Sequence, residues 1–197
     1  MTTGSDRVDV ETSIAAAVDR VWDLVTDVDL PARFSREFQG GEWLDDPGEG
    51  ARFRGHNKIG DVEWSTTCTV VEYLPGRAFT WVVESVEDPV AVWGYTLEAR
   101  DDRVLLGMHA TMGPALSPPR AAAAADPARS DEIIAGRLRQ WTKNMTATVE
   151  GIRGLAQACA RPAVPRTVDP TSVGSEHGRR HQRVARFLAT GHRPRSV

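Results

Sequence analysis

Cysteine is scarce in this 197-residue chain: only Cys68 and Cys159 occur, and they lack CxxC spacing. That excludes a disulfide framework and a cysteine-built zinc site, and it fits free thiols in a reducing compartment, so the cytoplasm is the expected location. Long apolar runs are missing as well. No stretch approaches the roughly 18–20 residues that a bilayer-spanning helix requires. The N-terminal MTTGSDRVDVE has no basic flank leading into an apolar segment, so no secretory signal is expected. GxSxG, HExxH, Walker-type and GxGxxG patterns are absent, which leaves hydrolase, zinc-protease and nucleotide-binding readings without support. No metal or cofactor is expected.

What is present is ordinary for a globular protein, with 41% hydrophobic and 26% charged residues. The length fits one domain with about forty residues left over. The net charge of −3 conceals an asymmetry: residues 161–197 carry eight arginines against Asp169 and Glu176, a balance of about +6 that leaves about −9 on residues 1–160. An acidic core of this kind does not attract nucleic acid. All six tryptophans precede residue 142. We therefore expect a folded domain over residues 1–160 and a basic, mobile tail over 161–197, where Pro, Gly, Ser and Arg replace periodic apolar residues. A short basic helix over His181–Thr190, with Val184, Phe187 and Leu188 together, is conceivable within that tail.

Periodicity organises the rest. Val8, Val10 and Thr12 alternate with Asp9 and Glu11 as in a half-buried strand. Val18, Val21, Trp22, Val25 and Val28 form one stripe on a helix predicted over Ala16–Val28, with Pro31 ending it or starting a second short turn. From Gly40 to Met112 five or six strands fit, separated by Asp46-Pro47-Gly48, Ile59-Gly60-Asp61, Pro75-Gly76 and Asp88-Pro89. With no helical pattern between them, they read as an antiparallel meander. Within Ala51–Gly60, Arg52, Arg54, His56 and Lys58 share one face, and Phe53, Gly55, Asn57 and Ile59 the other. Phe79, Trp81 and Val83 form one row, and Trp93, Tyr95 and Leu97 another. In Arg103–Met112, Val104, Leu106, Met108, Ala110 and Met112 define the inward side, leaving His109 outside. A Pro- and Ala-rich connection from Gly113 to Ala128 precedes the strongest helix. It starts near Ser130, with Asp131 and Glu132 in its first turn, and carries Ile134, Leu138, Trp141, Met145, Val149, Ile152 and Leu155 at intervals of three or four.

Strand, helix, meander and long terminal helix in this order resemble the START-like (SRPBCC) superfamily, which includes polyketide cyclases and aromatases, birch-type pollen allergens and lipid-transfer domains. The resemblance spans about Arg7–Ala160 and rests on SIAAAVDRVWDLVTDVD (Ser13–Asp29), GEGARFRGHNKIGDVEWSTTCTVVEYLPGRAFTW (Gly48–Trp81) and WGYTLEA (Trp93–Ala99). These look most like the actinobacterial polyketide cyclase/dehydrase-like branch, except that Ala17 stands where that branch often has Pro. The resemblance implies an α+β helix-grip fold: a curved antiparallel sheet of six or seven strands wrapped around the C-terminal helix, with short N-terminal helices. It also implies a tunnel for a hydrophobic ligand.

The residues themselves point to the same place. Trp81, Trp93 and Tyr95 on the sheet and Trp141 and Met145 on the helix supply more large apolar surface than a small core needs. Phe53, Trp64 and Met108 join them as candidate ligand contacts, and Asn57 stands ready to orient a carbonyl or hydroxyl. For Asn57 the alternative is a buried amide bonded to backbone, and for the aromatic residues plain core packing. The direction of Trp64, Thr66 and Cys68 against Ser65, Thr67 and Thr69 is open. His56 and His109 face outward, and Cys68 has no neighbouring base, so no catalytic residue is assigned. Glu63, Glu72, Glu84 and Glu98 read as solvated strand positions.

Three functions fit this chain. One is a binding module for a small polyketide-, lipid- or aromatic-like molecule. Another is a cyclase, aromatase or dehydratase acting mainly by positioning its substrate. The third is a stress- or toxin-related interaction protein that uses the basic tail. Fold alone does not choose among them. A monomer or homodimer is expected.

Overall fold

The computed structural model of the chain, which describes residues 6–158, opens with strand β1 at Arg7–Ile14, whose alternate residues turn inward until Thr12 and Ile14 are buried. Helix α1 then occupies only Val18–Val25 and buries Val21, Leu24 and Val25. It is shorter than the predicted Ala16–Val28 because Thr26 closes it, its backbone N–H and its Oγ1 both bonding the Trp22 carbonyl. A 3-10 turn at Leu30–Arg33 follows with Pro31 in its first turn, where a missing N–H is harmless. Pro31 thus begins a second turn.

Six further strands form the meander: β2 (Phe38–Trp43), β3 (Arg52–Ile59), β4 (Val62–Leu74), β5 (Ala78–Glu84), β6 (Pro89–Arg100) and β7 (Arg103–Met112). The seven make one sheet in the order β1-β7-β6-β5-β4-β3-β2, every pair antiparallel. Gly60 at φ 60° and Gly76 at φ 71° supply the left-handed residue that the β3–β4 and β4–β5 turns demand. Register shifts at Phe38/Gly40 and Val70/Glu72 bend the strands and curl the sheet.

The Gly113–Ala128 connection contains a helix, α2, at Pro118–Ala125. Alanine has the highest helix propensity, and Pro118 and Pro119 fall in the first turn, so a run that carries no amphipathic stripe still folds. Helix α3 runs from Ser130 to Ala158 with Asp131 and Glu132 in its first turn. Trp141, Met145, Val149 and Ile152 on α3 join Ile14, Phe79, Leu106 and the α1 valines in the core. A curled antiparallel sheet gripping a long C-terminal helix is the helix-grip α+β fold. The expected tail from Arg161 and its short basic helix lie outside the described residues.

Candidate functional site

Between the concave face of the sheet and the N-terminal half of α3 lies a half-enclosed cavity of about 200 Å³. Sheet register places its walls. Phe53 on β3 pairs with Cys68 on β4, Cys68 with Val83 on β5, and Val83 with Ala91 on β6, so one transverse row of inward side chains crosses four strands. Trp81 opposite Trp93 forms the next row, and Phe79 opposite Tyr95 opposite Met108 the one after. In the other direction Gly55 faces Thr66 and Asn57 faces Trp64 near the β3–β4 turn. The cavity therefore has a closed end at Tyr95, whose side chain is fully buried, and an outer end where Asn57 and Trp64 are half-buried.

All nine residues singled out from sequence, Phe53, Asn57, Trp64, Trp81, Trp93, Tyr95, Met108, Trp141 and Met145, line this one cavity. Helix α3 supplies Trp141 and Met145 from successive turns, and the Trp141 ring sits 4.8 Å from Trp93 at 57°. Trp81 is the hub of the sheet side, with ring centroids 5.0 Å from Phe79, 5.7 Å from Phe53 and 5.8 Å from Tyr95. Such offset and edge contacts fix aromatic rings in place. Gly55 contributes room, since a Cβ there would meet the Phe38 ring at 3.0 Å. The direction of β4 is now plain: Trp64, Thr66 and Cys68 line the cavity, while Ser65 faces outward and its Oγ lies 2.9 Å from His56 Nδ1. Ile59, grouped with Phe53 and Asn57 by alternation, is 43% exposed because it stands at the turn beyond the cover of α3.

Polar side chains also reach the lining: Asp27, Ser35, Glu37, Asn57, Thr66, Arg137, Asn144 and Thr148. Arg137 and Glu37 form a two-pronged ion pair, Nη2 to Oε1 at 2.5 Å and Nη1 to Oε2 at 2.8 Å, with the Arg137 guanidinium 5.3 Å from the Trp141 ring. Both side chains are largely shielded from solvent. Thr148 is buried and its hydroxyl donates to the Asn144 carbonyl, so it is satisfied within the helix. Burial pushes the Cys68 thiol up to about 12 and likewise raises the Tyr95 phenol above its ordinary range, so both stay protonated near neutrality. Tyr95 Oη is buried without a hydrogen-bond partner.

Neither histidine of the domain reaches the cavity. His56 belongs to the outer row, and His109 stands on the outer face opposite Asp9 and Gly94, its pKa lowered by burial and by Arg7. The outer cations are paired rather than gathered into an anion groove: Arg52 with Asp45, Arg54 with Glu42, Lys58 with Glu63. Glu98 pairs with Arg100, Glu72 accepts from Thr80, and Glu84 accepts from the Thr67 amide. Among the described residues no group of acidic, histidine and cysteine side chains could hold a metal ion, and no helix is long and apolar enough to cross a membrane.

Sequence reasoning missed the Glu37–Arg137 pair. Arg137 lies four residues before Trp141 and so on the same helix face, a signal that was available. Glu37 precedes β2 in a stretch without period, and nothing local marks it.

Fold and cavity together define a helix-grip protein with an internal, mainly apolar site. The chain belongs to the polyketide cyclase / dehydrase and lipid transport family, whose sequence model matches residues 5–150. Among solved structures it is similar to a polyketide-cyclase-like protein of Corynebacterium glutamicum, with 24% identity over 81% of this chain and 96% of that one and a TM-score of 0.60. The ZhuI aromatase/cyclase of Streptomyces sp. R1128 gives 18% identity, 79% and 95% coverage and a TM-score of 0.59. The di-domain aromatase/cyclase StfQ of the steffimycin biosynthetic pathway gives 14%, with 78% of this chain on 52% of that one and a TM-score of 0.61. At these identities the likeness is one of fold. No curated protein matches the sequence.

Proposed function

We propose that this protein binds a small, largely apolar, ring-containing molecule between its sheet and α3. The observation that carries this reading is the convergence of four tryptophans, three phenylalanines and two methionines on one mainly apolar cavity. An apolar cavity of about 150 Å³ accommodates benzene. On that scale, about 200 Å³ suits one or two fused rings, with any longer substituent leaving by the outer end past Asn57 and Trp64. Among the lining groups, the Tyr95 phenol and Cys68 thiol hold their protons, and the Glu37 carboxylate is taken up by Arg137. The other carboxylate of the lining, Asp27, is exposed to solvent at the rim and accepts from the Asp29 amide. The buried part of the cavity therefore offers an incoming ligand no unengaged base, which supports holding a ligand over abstracting a proton from it.

Family membership favours a second reading, a cyclase, aromatase or dehydratase. Here the walls would fold a reactive chain, supplying proximity and orientation, with Asn57 or Tyr95 polarising a carbonyl. A thermal-shift screen of the full chain against aromatic metabolites, polyketides and lipids tests both. A ligand at 100 times its Kd should add about 2.7 kcal/mol of stability. Stabilisation by one apolar class with the compound recovered unchanged supports the binder, and recovery of a cyclised or dehydrated product supports the enzyme. Failure of every class to raise the Tm overturns both.

A further inference from the structure

The Tyr95 hydroxyl is the unexplained group of the cavity. It sits on an inward position of β6, between Phe79 on β5 and Met108 on β7, with its ring 5.8 Å from Trp81. The residue is 1% exposed and its Oη has no partner. Phe79 and Met108, which flank it across the sheet, carry no group that could bond the hydroxyl. Leaving a buried hydroxyl unbonded costs on the order of 1–3 kcal/mol, and a phenylalanine of the same shape would avoid that cost. Plain packing therefore explains the ring but not the oxygen.

The most buried of the other polar side chains of the lining are already engaged. Thr148 bonds the Asn144 carbonyl, and Arg137 holds Glu37. Asn57 lies at the opposite, outer end, beside the β3–β4 turn. Among the described residues of the lining, Tyr95 thus carries the polar side-chain oxygen that is both fully buried and unpartnered, and its proton stays in place because burial opposes the phenolate.

We propose that the ligand carries a hydrogen-bond acceptor, a ketone or comparable carbonyl oxygen, on the end of its ring system that enters first, and that Tyr95 Oη donates to it at the closed end of the cavity. This rests on the ligand-cavity reading above and narrows it from apolar ring compounds to ring ketones bound carbonyl-inward. A site built to hydrogen-bond such an oxygen discriminates against the analogue that lacks it, because the protein's own buried polar group is then left unpaired. The hydroxyl acts as a specificity determinant whether or not turnover follows.

The probes are 2-acetylnaphthalene and 2-isopropenylnaphthalene, which share shape and differ in the carbonyl oxygen. Isothermal titration of the full chain should give the ketone about tenfold higher affinity than the hydrocarbon, as one net hydrogen bond supplies. Tyr95→Phe should abolish that preference by weakening the ketone about tenfold while leaving the hydrocarbon within about twofold. Its Tm without ligand should equal or exceed that of the wild type, because the substitution removes an unpaired group. Equal affinity of the wild type for the two probes overturns the role of Tyr95 while leaving the cavity reading intact, and this comparison needs no variant. An unchanged ketone preference in Tyr95→Phe does the same. Binding of neither probe overturns the cavity reading and the Tyr95 assignment with it.

Discussion

Successive residues of β3 look into opposite surroundings. Outward, Arg52, Arg54 and Lys58 each stand beside a carboxylate, and His56 beside Ser65 and Glu42, all in contact with solvent. Inward, Phe53, Gly55 and Asn57 face a cavity walled by tryptophan, where the charged groups at hand are as few as Glu37, Arg137 and Asp27. The outer face holds many charges that water would stabilise almost as well without their partners. The inner face holds few polar groups, and for those the presence or absence of a partner decides the energy. Chemistry on this molecule is therefore to be sought where polar groups are rare, and the contrast can be attacked from both sides.

The largest effect should come from the inner ion pair. Arg137→Leu leaves Glu37 in a largely buried position without its two guanidinium bonds, and removing one partner of a buried pair costs about 3 kcal/mol. Adding Glu37→Gln should recover much of the loss, because the uncompensated charge disappears along with its partner. Urea unfolding of the single and double variants measures this. If Arg137→Leu proves as mild as an outer-face substitution, the distinction between the two faces fails.

Cys68 offers a smaller effect with a definite pH window. Burial raises its thiol from an ordinary value of 9.0 to about 12. In the unfolded chain the thiol ionises first, so its contribution is fully present below about pH 9 and is lost as pH rises toward about 12. At pH 10.5 the wild type should have lost about 2 kcal/mol relative to pH 8 through this group alone. Cys68→Ala should show a correspondingly shallower alkaline decline in urea midpoint. Parallel declines in the two proteins would mean that the thiol is wetter than its place between Phe53 and Val83 implies.

The sheet was legible in the sequence because strand alternation has a period of two and each error flips a whole face. Phe53, Trp81 and Tyr95 could thus be assigned inward from their strands alone, and Trp141 and Met145 from helical spacing. Less was legible where a structural signal is non-local. Glu37 acquires its role from a helix residue one hundred positions away. Helix α2 was hidden in an alanine run, where propensity acts without any apolar stripe to reveal it. The unpartnered Tyr95 hydroxyl could not be seen from sequence at all, because being unpartnered is a property of every neighbour at once.

The smallest effect is the control that gives the others meaning. Arg54 lies one residue from Phe53 and its Nη1 is 3.3 Å from Glu42 Oε1, yet both side chains are about half exposed. Water replaces the lost bond when either partner is removed, and salt already screens the attraction. Arg54→Ala should therefore leave the urea midpoint unchanged within error in 0.15 M salt, and should leave the affinity for 2-acetylnaphthalene where it was. A loss comparable to that of Arg137→Leu would mean that the outer row props the cavity wall through the backbone of β3. The inner and outer faces would then have to be treated as one coupled unit rather than two.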